Sequence, residues 1–178
     1  MRGRRAAGAA LAAVTIWALV ACTPEPAPSP TPTGFASEDE AFRAAETTYR
    51  SYIDALNNVD LSDPATFEPL FELTTGQANE DARKEFSQMH ADGWVVAGKS
   101  SVTLVQPSGD WAPTRVTLSV CVDVGSVTLV DSAGNSVVNP ERQDVQSMSV
   151  DLKTIDRTTE WAISRFAGRS GEPECAAR

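Results

Sequence analysis

His90, the cysteines Cys121 and Cys175, and four tryptophans are the side chains here with the most chemistry to offer. His90 is the sole histidine, so any Ser–His–Asp or Cys–His arrangement would have to run through it. It stands between Met89 and the pair Asp92 and Gly93, at the expected end of a helix. There the helix dipole alone favours an imidazole, and that structural role outweighs a general base. Metal chemistry has less to stand on, because no H-x-x-x-H, C-x-x-C or H-E-x-x-H occurs. The stretch DSAGNS sets Asp131 and Asn135 near a glycine, but it lacks the spaced ligands and closing Glu of a calcium loop. A hairpin turn accounts for it. No glycine-rich phosphate loop and no G-x-S-x-G elbow is present, so no cofactor is implied.

Binding needs less apparatus than catalysis. Trp111 follows Pro107, Ser108, Gly109 and Asp110, which read as a turn, and precedes Ala112 and Pro113. It is therefore expected to be the most exposed tryptophan and a candidate binding anchor. Trp94 and Trp161, on strands or at strand ends, read as packing.

The start of the chain gives an address. MRGRR is basic, and the next sixteen residues, 6–21, carry no charge. A charged head and an apolar run form an export signal. The run is too short and too rich in Ala for a permanent span, which needs about 20 strongly apolar residues. Leu19, Val20, Ala21 and Cys22 resemble the lipobox of bacterial lipoproteins. That resemblance implies acylation of the Cys22 sulfur and cleavage before it. Arg4 and Arg5 lack the surroundings of a twin-arginine signal, so ordinary secretion is expected. Pro24, Pro26, Pro28, Pro30 and Pro32 then alternate with small or polar residues, a composition for polyproline II. Residues 22–34 read as a lipidated cysteine and a semi-rigid tether spanning roughly 35 Å.

The expected organisation is a signal peptide over residues 1–21, the tether, and a single domain over residues 35–178. All 24 acidic residues lie beyond Cys22, whereas three of the 15 basic ones lie before it, so the mature chain carries −12. Such a surface repels phosphate backbones and excludes nucleic acid as a partner. The membrane is met through the lipid, on the extracytoplasmic face. In that oxidising setting the even pair Cys121 and Cys175 reads as a disulfide.

Helical signals fill the first half. Ser37 and Glu40 form a capping box with acids in the first turn. Ala41, Ala45, Tyr49, Tyr52, Ile53 and Leu56 then recur at helical spacing to about Asn57. Asp63 and Pro64 start a short helix through Phe67, Leu70 and Phe71 that Pro69 interrupts. A third helix, residues 78–91, turns Ala82, Phe86 and Met89 inward and ends at Gly93. From Trp94 the period changes to two. Residues 94–106, 116–124, 127–130, 136–138, 146–155 and 161–167 read as antiparallel strands. Cys121 falls on the opposite face of its strand from the valines. Helices followed by antiparallel strands make an α+β domain with helices packed on one face of a sheet.

This order over residues 38–168 resembles the nuclear transport factor 2-like fold. The segment TFEPLFELTTGQANEDARKEFSQMHADGW, residues 66–94, is similar to small bacterial lipoproteins carrying such a domain. The resemblance implies a cone: helices close over a bent sheet and leave a pocket at the wide end. Enzymes of that fold often set an acid–base dyad in the cone, and Asp54 with Tyr49 or Tyr52 could imitate one. Asp54 lies off the apolar stripe, however, and is expected to be solvated. Tyr49, Tyr52, His90 and Trp111 are the binding candidates, and no residue is assigned a catalytic role. The expected function is a non-catalytic envelope lipoprotein that binds a small ligand or an envelope protein. The alternatives are a cone-pocket isomerase, cyclase or hydrolase, and an accessory subunit of a cell-wall or secretion assembly. An open cavity with a buried Asp facing His90 or a tyrosine would favour the enzyme; a cavity filled by Tyr49, Tyr52, Phe67, Phe71 and Trp94 would exclude it.

Overall fold

Helix α1 (Glu38–Leu56) begins with a side chain standing in for the missing backbone acceptors. Ser37 is extended, and its Oγ accepts from the Glu40 amide at 3.2 Å. Glu40 reaches back in turn, but to the Ala36 amide at 3.0 Å, one residue beyond the usual reciprocal bond. The computed structural model describes residues 35–155 and 160–176. The expected leader, Cys22 and the tether lie outside the described residues.

After α1, the Asp63 carboxylate accepts from the Ala65 amide, and Pro64 opens a 3₁₀ turn, Pro64–Phe67. This runs directly into α2 (Glu68–Glu72). Pro69 does not interrupt a helix, as the sequence suggested; it sits in the first turn of α2, where its missing N–H costs nothing. Helix α3 (Gly76–Ala91) follows, and Gly93 at φ +67° turns the chain out of it.

Among the described residues six strands follow: β1 (Val95–Ala97), β2 (Ser101–Ala112), β3 (Arg115–Asp123), β4 (Thr128–Val130), β5 (Val145–Thr154) and β6 (Trp161–Gly168). A four-stranded antiparallel sheet has the order β2-β3-β5-β6, while β1 and β4 pair as a separate antiparallel ribbon. Residues 94–106 are thus two strands, broken at Gly98. The backbone there has φ +84°, and a Cβ would run into the Ser126 carbonyl oxygen, so only glycine fits. Asn57 holds the break in place, accepting from the Ser100 amide at 2.7 Å and donating to its carbonyl at 2.9 Å.

Residues 107–110 are not a turn. Strand β2 continues through them to Ala112, and the reversal comes at Pro113 and Thr114. Gly109, at φ +74°, lies in a register shift between Ser108 and Ala112. The turn-forming residues make a bulge on an edge strand, where a proline is also tolerated. The opposite edge is covered: Thr75 donates to the Ile163 carbonyl at 2.8 Å, and Ile163 donates to the Leu73 carbonyl at 2.9 Å.

The domain is α+β, with its helices packed on one face of a curved antiparallel sheet, as the sequence order required. The main core lies between α1 and β3, β5 and β6, around Ala41, Ala45, Val116, Leu118 and Val150. Trp161 closes its narrow end, stacked on Phe35 at 4.9 Å and donating its indole N–H to the Ala41 carbonyl at 2.9 Å. A second cluster gathers Leu61, Phe67, Leu70, Phe71 and Ala82 beneath α3. On the sheet's other face Cys121 is joined to Cys175, with Cα atoms 5.6 Å apart. The pairing read from the sequence is therefore present, and it ties the C-terminal segment across the outward side.

Candidate functional site: an open apolar cavity

At the C-terminal end of α1 the helices and sheet do not meet. Between them lies a cavity of about 670 Å³, walled by α1, α3, the ends of β3, β5 and β6, and the β1–β4 ribbon. Each wall follows from a local pattern. On α1, Tyr49, Tyr52, Ile53 and Leu56 continue the stripe that Ala41, Phe42 and Ala45 begin nearer its start. Alanines let the helix approach the sheet; tyrosines hold it off. On α3, Ala78, Ala82, Phe86 and Met89 fall at helical spacing on the same side. The sheet supplies Val122, Val124, Met148 and Phe166, and the ribbon supplies Val96 and Leu129. Cavities of roughly 300–1,000 Å³ with mostly apolar walls are the usual form of a small-molecule site.

Polar groups are few and unevenly engaged. Tyr49 is 1% exposed, and no described residue hydrogen-bonds to its hydroxyl. Its ring lies 6.5 Å from that of Tyr52, which in turn packs against Phe166 at 5.1 Å. Burial raises the pKa of both phenols. That of Tyr52 is pushed up to about 12, with the charge of Glu85 adding to the effect of burial. Tyr49 is pushed higher, mainly by burial and then by Tyr52, against a small opposing effect of Arg50. Both are neutral hydrogen-bonding groups at any physiological pH. Asp81 and Glu85, one turn apart on α3, also line the cavity with exposed side chains. Across from them, one terminal nitrogen of Arg142 donates to the Val124 and Val127 carbonyls at 3.0 and 2.8 Å. Arg165 pairs with Asp151 at 3.1 Å.

The binding candidates divide. Tyr49 and Tyr52 are on the cavity wall. His90 is not: its Nδ1 lies 2.7 Å from the Leu61 carbonyl, so that nitrogen donates, and its ring stands edge-on to Phe67. The imidazole pins the loop after α1 to the end of α3. Trp111 is half-buried against the main core and is no exposed anchor. The unexpected continuation of β2 carries it there. Asp54 is exposed, as expected, and takes no part in the cavity. Phe67, Phe71 and Trp94 pack in the second cluster and do not fill the space.

The acids of α3 are the site residues that sequence reasoning missed. Their signal was available: Asp81 and Glu85 immediately precede Ala82 and Phe86, so each borders the stripe taken as inward-facing. Among the described residues no three His, Cys, Asp or Glu side chains gather as a metal site requires. Nor is any described helix long and apolar enough to cross a membrane.

A bent antiparallel sheet roofed by helices, with an apolar cavity at the wide end, is the cone that the nuclear transport factor 2-like resemblance implies. No family model and no curated protein matches the chain. Among solved structures it is similar to the intermembrane-space region of the chloroplast protein ARC6, at 18% identity and a TM-score of 0.48, over 73% of this chain and 97% of that one. An IcmL-like type IV secretion system protein from Legionella pneumophila is similar at 11% identity and a TM-score of 0.45, over 81% and 100%. A protein of unknown function with a cystatin-like fold from Nostoc punctiforme is similar at 12% identity and a TM-score of 0.40, over 70% and 86%.

Proposed function

We infer that this chain is an envelope lipoprotein, held on the extracytoplasmic face by an acylated Cys22, whose domain binds a small apolar ligand without transforming it. The observation that carries the binding reading is the open cavity of about 670 Å³ with aliphatic and aromatic walls. Support for the absence of chemistry comes from what faces that space. The two tyrosines are neutral and face no buried Asp, His90 is committed to a backbone carbonyl, and the carboxylates sit exposed at the rim. Desolvating a carboxylate beside a proton donor is what acid–base work in such a pocket needs. The anchor rests on the basic head, the apolar run and the lipobox of the leader, and the disulfide suits an exported domain.

The test is titration of the purified chain with Nile red, an uncharged dye whose emission rises in apolar surroundings. Saturable binding is expected in the parent chain. It is lost in Ala82→Trp and in Val124→Trp, each of which fills the cavity from a different wall, while circular dichroism confirms both fold. Equal binding by parent and filled variants would contradict the reading. Mass spectrometry of the native product tests the anchor: diacylglyceryl-modified Cys22 at the N-terminus is expected, and an unmodified Cys22 behind an intact leader would remove it.

A further inference from the structure

The cavity's charged groups are not equivalent, and the difference selects a ligand. Two arginines and two acids line it, so a count of charge alone predicts no preference. Arg165 is paired with Asp151, and one terminal nitrogen of Arg142 is taken by the Val124 and Val127 carbonyls. That leaves the two acids in excess over the one guanidinium without a carboxylate partner. Asp81 and Glu85 have neither an ion pair nor a hydrogen bond to any described residue. They sit one turn apart on the side of α3 that faces the cavity. Glu85 acts electrostatically on Tyr52, which lines the same cavity.

The phenols point the same way. Tyr49 is 99% buried by its 1% exposure, it lines the cavity, and no described residue meets its hydroxyl. That hydroxyl is not among the buried side-chain atoms left without a partner, so it is open to whatever occupies the cavity. On the α1 and α3 side the wall offers acceptors in two carboxylates and two phenol oxygens, with electron-rich ring faces beside them. A protonated amine brings three donors, one positive charge and no acceptor. It matches the carboxylates by charge, the phenol oxygens by hydrogen bonding and the rings by cation–π attraction. The apolar remainder of the ligand would lie against Ile53, Val122, Val124, Met148 and Phe166.

We propose that the cavity takes a cationic amphiphile, an apolar body ending in a protonated amine, with the head held by Asp81, Glu85 and the Tyr49–Tyr52 pair. This rests on the binding function inferred above and specifies its ligand class. A carboxylate- or sulfate-headed amphiphile of the same length meets two carboxylates against the single unpaired Arg142 charge and is disfavoured.

The experiment is displacement of Nile red from the full chain by three ten-carbon probes, below their micelle concentrations: decylammonium, decanol and decyl sulfate. Decylammonium is expected to displace the dye at a concentration at least about tenfold below decyl sulfate, with decanol between them. In Asp81→Asn/Glu85→Gln, decylammonium loses that advantage while decanol is unchanged. Both substitutions are on exposed positions, so folding is preserved, and decanol reports it. Tyr49→Phe weakens decylammonium more than decanol. Equal displacement by the three probes, or a preference for the amine that survives the double substitution, overturns the head-group assignment alone. Failure of Nile red and every probe to bind overturns the binding function itself.

Discussion

One strand, β3, has two fates along its length. Val116, Leu118 and Val120 are 1%, 1% and 0% exposed under the start of α1, whereas Val122, and Val124 just beyond the strand, border empty space under its end. The helix and sheet are the same elements at both ends. What changes is which residues stand between them. Ala41 and Ala45, with Phe42 beside them, pack into the main core, and Trp161 and Phe35 cap the contact. Tyr49, Tyr52 and Leu56 prop the other end open, and the β1–β4 ribbon walls the gap instead of filling it. Stability and function are thereby separated along a single helix: the narrow end specifies the fold, and the wide end is left free to bind.

The disulfide should matter to the first of these and not to the second. Joining residues 54 apart stabilises by about 4 kcal/mol in the chain-entropy model. Cys121→Ser/Cys175→Ser is expected to lose most of that in denaturant unfolding while Nile red affinity stays the same. A loss of binding in a variant that remains folded would show that the outward face and the cavity are coupled.

A smaller effect distinguishes the two ends directly. Leu152→Ala removes a fully buried side chain from close packing and should cost about 3 kcal/mol. Met148→Ala, at the cavity wall, already borders a void and should cost less than about 1.5 kcal/mol. Equal costs by thermal or urea unfolding would mean that the wide end is packed as tightly as the narrow one.

Alkaline pH probes the tyrosines as a pair. Their folded pKa values lie above the ordinary phenol value of about 10, that of Tyr52 at about 12 and that of Tyr49 beyond it. Above pH 10 the unfolded chain releases protons that the folded chain keeps, so unfolding becomes easier as pH rises. Stability should be level below about pH 10 and fall from there through 12. Tyr52→Phe should flatten the first part of that decline.

The smallest effect expected is that of Tyr49→Phe on stability. No described group meets the hydroxyl, so its removal should shift the unfolding free energy by less than about 0.5 kcal/mol, measured by urea titration. A cost above 1 kcal/mol would mean that the hydroxyl has a partner in the folded chain.

Much of this was legible in the residues. The cap at Ser37, the α1 stripe and the switch of period after Trp94 fixed the α+β class, because each rests on local backbone chemistry. The Cys121–Cys175 bond followed from counting cysteines. Residues 107–110 misled because proline, serine and glycine serve both turns and edge-strand bulges, and only the pairing with β3 decides between them. That error also misplaced Trp111. The cavity itself was expected, but whether Tyr49 and Tyr52 would fill it or line it depends on how far apart helix and sheet settle. No single stretch of sequence records that distance. Asp81 and Glu85 were passed over for a related reason: acids on a helix are usually solvated, and these become cavity groups only because the wide end stays open.

Methyl-selective NMR with an apolar ligand resolves the two ends at once. Titration with decanol should move the methyl signals of Val122, Val124, Met89 and Met148 and leave those of Val116 and Leu152 in place. Shifts spread evenly over both groups, or confined to Val116 and Leu152, would contradict a domain that is packed at one end and built to bind at the other.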